Sequence, residues 1–332
     1  MSYTRRQFLE NSSALGAASF LGLSRTAAAE PPPEVRKVRL TESFVACLAP
    51  LRLAEDLLRA EGFSEIEYLP GSTDTGPNMV ARGLADFTQW DVGAMFPLLN
   101  EARNLLVLAG VHSGCTELFV HEHIGAIRGL KGKRIAVSSL GGGDHVFVAS
   151  ILAYVGIMPQ DVTWVSGSKL TDAKNLFIEG KADAILAFEP QNHELHERKI
   201  GHVILNTTLD RPWSQYFCCV LAGNREFVRK NPVATKRVLR ALLKGADICA
   251  QDPERAARLM VEKGYEKRYQ IGLEILKSLP YNRWREANPE DTMRFYALRL
   301  YEVGMIKTPP HKLIARGTDW RFLNELKKEL KA

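Results

Sequence analysis

The segment Gly83-Leu84-Ala85-Asp86-Phe87 decides the fold, because a matching segment occurs later in the chain as Gly180-Lys181-Ala182-Asp183-Ala184. In each segment the glycine can end a helix in a left-handed turn. The aspartate can then accept hydrogen bonds from backbone amides just before an apolar strand. The same helix-to-strand turn in both halves of the chain predicts two lobes built on one plan.

Strand and helix patterns alternate on both sides of these turns. Strand patterns at 38–41 and 66–68 enclose a helix pattern at 50–60, and a similar series begins at Lys133. Such alternation is typical of parallel, doubly wound sheets covered by helices. After residue 221 the patterns are helical, and proline follows asparagine or aspartate at three predicted helix starts. The predicted class is therefore α/β, with a helical tail that covers one lobe.

Length and composition exclude several classes of protein. The 332 residues suffice for about two domains, and 45% hydrophobic with 25% charged residues is ordinary for a globular chain, not for a disordered or fibrous one. A net charge of +6 is too small to indicate nucleic-acid binding. The five cysteines are odd in number and show no CxxC spacing. We therefore predict no disulfide framework, no metal site and no cofactor.

The first 29 residues form a candidate export signal. Arg5-Arg6 is followed by an apolar run at 14–23 and by Ala27-Ala28-Ala29. A positive head, a short apolar core and a small-residue exit are typical of such signals, and the core is too short to span a membrane. The paired arginines resemble the twin-arginine signal, although Glu10 replaces its usual lysine. The alternative is that these residues form an amphipathic first helix. If they are an export signal, the protein is predicted to be periplasmic.

Polar and aromatic residues follow the predicted strands, where ligands bind in open α/β sheets. Most of these positions lie directly after an apolar strand pattern, and two lie on the return segment before Cys218. The predicted ligand-binding residues are Glu42, Ser43, Phe44, Trp90, Asp91, His112, Ser138, Ser139, Gly142, Gly143, His145, Phe188, Glu189, Trp213 and Tyr216.

The serine–glycine stretch at 138–143 lies between a predicted strand and a predicted helix. Bare backbone amides at the positive end of a helix can hold an anion, and two serine hydroxyls add donors. The alternative is a flexible turn in which Asp144 only caps the helix. The chain has neither a GxxxxGKS loop nor a GxGxxG with a downstream ribose acid, which leaves ATP and NAD without support.

Each class of side chain near these strand ends could have either a ligand-binding or a structural role. Aromatic rings can stack on a flat ligand or pack between domains. The acidic residues can accept hydrogen bonds from an amine or amino-heterocycle, or can cap loop amides. The aromatic and acidic candidates are Phe44, Trp90, Phe188, Trp213, Tyr216, Glu42, Asp91 and Glu189.

We predict structural roles, and no catalytic or metal-binding roles, for the remaining histidines and cysteines. His121 and His123, and His193 and His196, have spacings that suit a metal, but neither pair has an evident third ligand, so we predict solvated faces. Cys218-Cys219 lies in an apolar run, which predicts buried thiols in preference to redox chemistry. No GxSxG elbow indicates a serine nucleophile.

These features together resemble the solute-binding proteins of ABC importers, in particular the nitrate/sulfonate/taurine group that includes binders of thiamine-pyrimidine precursors. The resemblance covers most of residues 35–325. The stretches that carry it are Arg82-Gly83-Leu84-Ala85-Asp86-Phe87, Leu130-Lys131-Gly132-Lys133, Gly180-Lys181-Ala182-Asp183-Ala184 and Phe188-Glu189-Pro190.

The resemblance implies a type II periplasmic-binding-protein fold, with two lobes joined by two crossover hinge segments. The first lobe would contain 36–119 and 220–332, and the second 120–219. Ser43, Asp91, Ser138, Ser139 and the region of Glu189 match cleft positions of the family. The loop at 42–47 departs from the family's pattern, and ligand identity does not carry over.

The resemblance also implies a function. We expect a monomer that captures a small organic anion or aromatic heterocycle by hinge closure and delivers it to a membrane permease with a cytosolic ATPase. The alternative is an enzyme that resembles the thiamine-pyrimidine synthases, although their CCCFG signature is represented only by Phe217-Cys218-Cys219-Val220. A further alternative is a protein that senses its solute for a receptor.

Overall fold

Two five-stranded sheets form the framework of the protein, in a computed structural model that describes residues 30–42, 45–71, 75–167 and 170–330. The predicted export signal at 1–29 and the candidates Ser43 and Phe44 lie outside the described residues. The strands are β1 (Lys37–Glu42), β2 (Glu65–Pro70), β3 (Phe87–Asp91), β4 (Leu105–Ser113), β5 (Thr116–Val120), β6 (Arg134–Val137), β7 (Thr163–Ser166), β8 (Ala184–Phe188), β9 (His202–Asn206) and β10 (Phe217–Asn224).

The two sheets have the same plan. The first has the order β2-β1-β3-β10-β4 and the second the order β7-β6-β8-β5-β9. In each sheet the first three strands are parallel, and the fourth runs antiparallel to both of its neighbours. The two-lobed α/β fold is therefore as predicted, but the expectation of wholly parallel sheets is wrong. Strands β5 and β10 each enter one sheet directly from the other, which reverses their direction.

Helices surround both sheets. They are α1 (Ala49–Leu53), α2 (Glu55–Ala60), α3 (Gly76–Ala81), α4 (Met95–Asn100), α5 (Gly143–Tyr154), α6 (Leu170–Ile178), α7 (Gln191–Glu197), α8 (Arg225–Lys230), α9 (Pro232–Gln251), α10 (Pro253–Glu262), α11 (Tyr269–Ser278), α12 (Arg283–Glu286), α13 (Pro289–Glu302), α14 (Pro310–Gly317) and α15 (Arg321–Glu329). Short 3-10 turns lie at Ala46–Leu48, Ile127–Leu130, Pro159–Asp161 and Trp213–Gln215. Within the described ranges, none of the helices has the length and apolarity needed to cross a membrane.

The chain passes between the sheets twice. It leaves the first sheet after β4 and enters the second at Thr116, and it returns to the first sheet at Phe217. Sheet membership therefore changes a few residues before the predicted lobe boundaries at 119/120 and 219/220. Each lobe consists of one sheet and the helices that pack on it.

The repeated segment makes the same contacts in both lobes. Asp86 accepts hydrogen bonds from the backbone amide of Arg39 at 2.8 Å and from its guanidinium at 2.6 Å. Asp183 accepts the corresponding bonds from Arg134, both at 2.8 Å. The guanidinium lowers the pKa of Asp183 to about 2. Gly83 and Gly180, which begin the two segments, have φ of 74° and 70°, as the left-handed turn requires. The local repeat thus fixes how each third strand joins its sheet.

Aromatic side chains pack α5 of the second lobe against α13 of the first. Phe147 and Tyr154 on α5 face Tyr296 and Phe295 on α13, with ring centroids 5.2 Å and 6.0 Å apart. Tyr216 stacks on Phe295 at 4.1 Å, nearly parallel to it. These contacts hold the two lobes together on one side of the strand ends.

Candidate functional site

The candidate site lies where the ends of parallel strands from both lobes meet. Asp91 ends β3 of the first sheet, Ser138 follows β6 of the second, and Glu189 follows β8. A Cβ built on Gly93 would lie 2.6 Å from the backbone oxygen of Gly143. The two lobes therefore approach so closely here that only glycine fits between their backbones.

The Asp91 carboxyl occupies this point of approach. Its Oδ1 accepts a hydrogen bond from the Ala94 amide at 2.9 Å, and a Cβ on Gly143 would lie 2.5 Å from the same oxygen. Burial raises the pKa of Asp91 to about 7, and the Cys219 thiol and the Asp144 carboxyl add to the rise. Asp91 is therefore a partly buried carboxyl whose ionised form would be stabilised by a hydrogen-bond donor or a positive charge nearby.

The glycine loop is stabilised by its own acidic residue. Asp144 accepts hydrogen bonds from the Ser138 amide at 2.5 Å and from the Ser138 hydroxyl at 2.7 Å. It also accepts from the backbone amide of His145 at 2.9 Å. A carboxylate thus already occupies the positive end of α5. This agrees with the alternative prediction, in which Asp144 caps the helix. Ser139, by contrast, is exposed.

His145 fixes the other side of the loop. Its Nδ1 accepts a hydrogen bond from the Gly141 amide at 2.9 Å, and its ring packs edge-on against Trp164 at 4.4 Å. Burial lowers the pKa of His145. A neutral ring that accepts a backbone hydrogen bond is therefore a structural support for Gly142 and Gly143.

Glu189 supplies a carboxyl from the second lobe. Its Oε2 accepts a hydrogen bond from the His193 amide at 3.4 Å. Burial raises the pKa of Glu189 to about 7, and Glu117 and the Cys47 thiol contribute. Because Cys47 belongs to the first lobe, its influence places Glu189 at the junction of the lobes. Asp91 and Glu189 are thus two carboxyls that the fold makes costly to ionise.

Replacement of Glu189 by glutamine is expected to stabilise the protein at pH 8 by about 2 kcal/mol. The folded-state pKa of about 7 exceeds the ordinary value of 4.5, so the stability that protonated Glu189 contributes is full below pH 4.5 and is lost as the pH rises through 7. The variant should gain little at pH 5. Chemical denaturation at both pH values measures the difference. Exposed Glu122→Gln is the control, and an equal gain at both pH values would contradict the assignment.

Glu42 is held within the first lobe. Its Oε1 accepts a hydrogen bond from Nη1 of Arg52 at 3.2 Å. The Arg52 side chain is fully buried, and its guanidinium lies 4.1 Å from the ring centre of Tyr265. The Glu42 carboxylate therefore balances a buried cation.

The aromatic candidates do not form one box. Trp213 is buried and packs edge-on against Tyr154 at 5.1 Å, and Tyr216 belongs to the same aromatic contact between α5 and α13. Trp90 lies over Gly76, where an added Cβ would be 2.8 Å from its ring. Phe188 is half-buried at the end of β8, against the core. The interdomain-packing reading describes Trp213 and Tyr216.

The structure brings together cysteines that are far apart in sequence. Cys47, His112, Cys115 and Cys219 place one ligand atom each within 4.8 Å of one another. All four side chains are buried, and they form what we call the cysteine–histidine group. Cys115 Sγ also lies 2.9 Å from Cys218 Sγ. The prediction that Cys218 and Cys219 are buried is confirmed, whereas the convergence was missed because it has no local spacing.

Electrostatics within the cysteine–histidine group favour one thiolate. Burial lowers the pKa of His112, but the Cys219 and Cys47 thiols outweigh it and raise this pKa to about 10. The pKa of Cys219 is lowered, chiefly by its hydrogen bond with Cys115. The pKa of Cys47 is raised to about 11. The cysteine–histidine group therefore combines an imidazole with soft sulfur donors near the junction of the lobes.

Three of the four histidines in the two predicted pairs have protein partners in the structure. His121 Nε2 lies 3.2 Å from the Phe177 carbonyl oxygen, and His196 Nε2 lies 2.6 Å from Glu117 Oε2. His193 Nε2 lies 3.2 Å from Glu197. In the described part of the chain, the groups that could hold a metal ion comprise the cysteine–histidine group alone.

Known structures share this two-lobed fold. The nitrate-binding protein NrtA from Synechocystis PCC 6803 is 15% identical, with a TM-score of 0.76 over 91% of this chain and 90% of that one. The alkanesulfonate-binding protein SsuA from Xanthomonas axonopodis pv. citri, bound to MOPS, is 17% identical, with a TM-score of 0.67 over 88% and 100%. The desulfurization enzyme DSZB is 16% identical, with a TM-score of 0.58 over 89% and 100%.

The fold is that of the periplasmic binding proteins. A family model described as NMT1/THI5 like matches residues 60–256, more than half of the chain. The chain belongs to the NMT1/THI5-like family, and the resemblance predicted from the sequence is confirmed for fold and family. A search of curated protein sequences found no match.

Proposed function

We propose that the protein is the extracytoplasmic solute-binding component of an ABC importer, and that its solute is a small nitrogen heterocycle or amine of the thiamine-pyrimidine-precursor class. The observation that carries this proposal is the pair of partly buried carboxyls, Asp91 and Glu189, one from each lobe, whose pKa values are both raised to about 7. A solute that donates hydrogen bonds to both would offset their burial.

The same geometry argues against a nitrate or sulfonate anion. The helix end that could attract an anion is occupied by Asp144, which takes the Ser138 amide and hydroxyl. Asp91 lies against the same loop. An anion placed there would meet two carboxyl groups in a buried setting, which is unfavourable. A solute that donates hydrogen bonds would instead meet acceptors at this site.

Capture would proceed by closure of the two lobes. The solute binds the carboxyl of one lobe, and contacts with the other lobe then favour the closed form, because only differential contacts shift such an equilibrium. The near contact of Gly93 with Gly143 marks where the lobes meet. Binding and release need no catalytic group.

A binding panel tests this function. Titration calorimetry of the purified protein with aminopyrimidines, taurine, an alkanesulfonate and nitrate is expected to show binding of an aminopyrimidine alone. Asp91→Asn and Glu189→Gln should each weaken that binding by about tenfold, which corresponds to about 1.4 kcal/mol. Glu122→Gln, at an exposed carboxyl outside the candidate site, is the control and should leave affinity unchanged.

Two results would count against the proposed solute. Binding of the sulfonate or nitrate in place of the aminopyrimidine would return the site to the anion class. Equal loss of affinity in the Glu122→Gln control would mean that the effect of the carboxyl substitutions is not specific to the site.

The proposal includes export and delivery. The candidate signal at 1–29 would direct the chain to the periplasm by the twin-arginine route, where it would work as a monomer with a permease and its cytosolic ATPase. A sensor role for a receptor is the alternative within the same class. A neighbouring gene pair for a permease and an ATPase would favour delivery.

An enzyme on the same fold is the second candidate. The cysteine–histidine group and the structural likeness to DSZB favour it. Stoichiometric pyridoxal phosphate or iron in the purified protein would support a pyrimidine-synthase-like activity. Their absence together with reversible solute binding would support the transport role.

A further inference from the structure

The cysteine–histidine group has the ligand set of a tetrahedral metal site. We propose that Cys47, His112, Cys115 and Cys219 bind one zinc ion. This inference does not depend on the proposed solute, since the carboxyls that carry that proposal, Asp91 and Glu189, are not among the four ligands.

The spacing of the ligand atoms suits zinc closely. A tetrahedral site with Zn–S bonds of about 2.3 Å separates its sulfur atoms by about 3.8 Å. The four ligand atoms already lie within 4.8 Å of one another. None of these separations therefore exceeds the tetrahedral sulfur–sulfur distance by more than about 1 Å.

His112 is oriented as a metal ligand. Its Nδ1 lies 3.3 Å from the Ser113 carbonyl oxygen, which is the backbone contact that commonly fixes a ligating imidazole. Its Nε2 is buried and has no hydrogen-bond partner among the described residues. A buried polar nitrogen without a partner is costly, and a metal ion would satisfy it.

Two buried side chains, Tyr281 and Gln89, position His112 and Cys47. The ring of Tyr281 packs edge-on against His112 at 5.1 Å, and its hydroxyl donates to the Cys47 carbonyl oxygen at 3.1 Å. The amide of Gln89 donates to the same oxygen at 3.3 Å. Tyr281 and Gln89 are fully buried. The loop that carries Cys47 is therefore held against the histidine before any ion binds.

Charge favours a divalent ion. Three thiolates and a neutral imidazole carry −3, so Zn²⁺ leaves a net charge of −1, whereas a monovalent ion would leave −2. The smaller charge is less costly in a buried site that also faces two carboxyls. Thiolate and imidazole donors also suit zinc better than magnesium or calcium. On binding, the thiol protons and any proton on His112 Nε2 pass to solvent.

The ion would cross-link three segments of the chain, two of which, β4 and β10, are already paired in the first sheet. Cys115 lies in the first crossover, Cys219 on β10 just after the second, and Cys47 in the loop after β1. A bond from one ion to each would fix both crossovers to the floor of the first lobe.

The test uses the untagged protein, reduced with a phosphine and free of solute. After incubation with zinc and gel filtration, elemental analysis should find about one zinc per chain. Replacement of zinc by Co²⁺ should give the near-ultraviolet absorption of sulfur-to-metal charge transfer. Absence of both in the reduced wild-type protein would overturn the proposal, whatever its solute binding. Cys115 and Cys218 joined as a disulfide that persists after this reduction would also overturn it.

Matched cysteine variants locate the ion. Cys219→Ser and Cys47→Ser should reduce zinc retention at least tenfold and weaken the Co²⁺ absorption. Cys249→Ser, which removes a buried thiol outside the group, should change neither. Equal loss in Cys249→Ser would overturn the assignment. If the ligand variants do not fold, the wild-type Co²⁺ spectrum decides, since it reports sulfur ligation directly.

Discussion

Replacement of Gly93 by valine is expected to weaken solute binding by about a hundredfold, which corresponds to about 2.7 kcal/mol. The Cβ of any residue at this position would lie 2.6 Å from the backbone oxygen of Gly143 in the other lobe. Backbone atoms cannot move aside as a side chain can, so the lobes must separate to make room. Titration calorimetry measures the affinity, and small-angle scattering should show an expanded particle.

The control for this prediction is Gly125→Val. Nothing lies within 4 Å of a Cβ built on Gly125, so this variant carries the same change of residue without the contact between lobes. Its affinity and scattering should match those of the wild-type protein. A Gly93→Val protein with wild-type affinity would mean that binding does not require the closed arrangement.

The largest loss of stability is expected from Arg52→Met, at about 3 kcal/mol. The Arg52 side chain is fully buried, pairs with Glu42 at 3.2 Å and lies over Tyr265 at 4.1 Å. Methionine keeps much of the side-chain volume but leaves the Glu42 carboxylate, whose side chain is 22% exposed, without its cation. Denaturant unfolding at pH 7 measures the change in the free energy of unfolding.

A double variant separates charge from packing. Arg52→Met combined with Glu42→Gln removes both charges, so it should recover at least half of the loss. No recovery would show that the guanidinium acts through its packing on the aromatic rings. Recovery would show that Glu42 is a partner of Arg52 before it is a ligand for a solute.

The two-lobed fold was predictable because its signal is local. The turns at 83–87 and 180–184 each contain the glycine and the aspartate that the structure uses, and the Arg39 and Arg134 contacts repeat around them. Strand direction was not predictable in the same way. Whether β5 and β10 run parallel depends on where the chain crosses between sheets, which no short pattern records.

The sequence predicts where the candidate site lies better than it predicts the contacts within that site. Strand-end reasoning placed Asp91 and Glu189 correctly at the ends of β3 and β8. It could not tell that Asp144 takes the Ser138 hydroxyl or that Tyr216 stacks on Phe295, because both depend on packing. The cysteine–histidine group was hidden for a related reason. Its members lie near the ends of strands of one sheet or in the loops that follow them, and only the sheet order shows that those ends coincide.

The order of strands also determines which lobe can fold first while the chain is being synthesised. All strands of the second sheet lie within residues 116–206, whereas the first sheet lacks a central strand until β10 (Phe217–Asn224) has been made. A chain emerging from the ribosome can therefore complete the inserted lobe first, while β1–β4 wait as an unfinished surface with exposed edges. Truncation before residue 217 should leave a folded second lobe attached to an aggregation-prone first one.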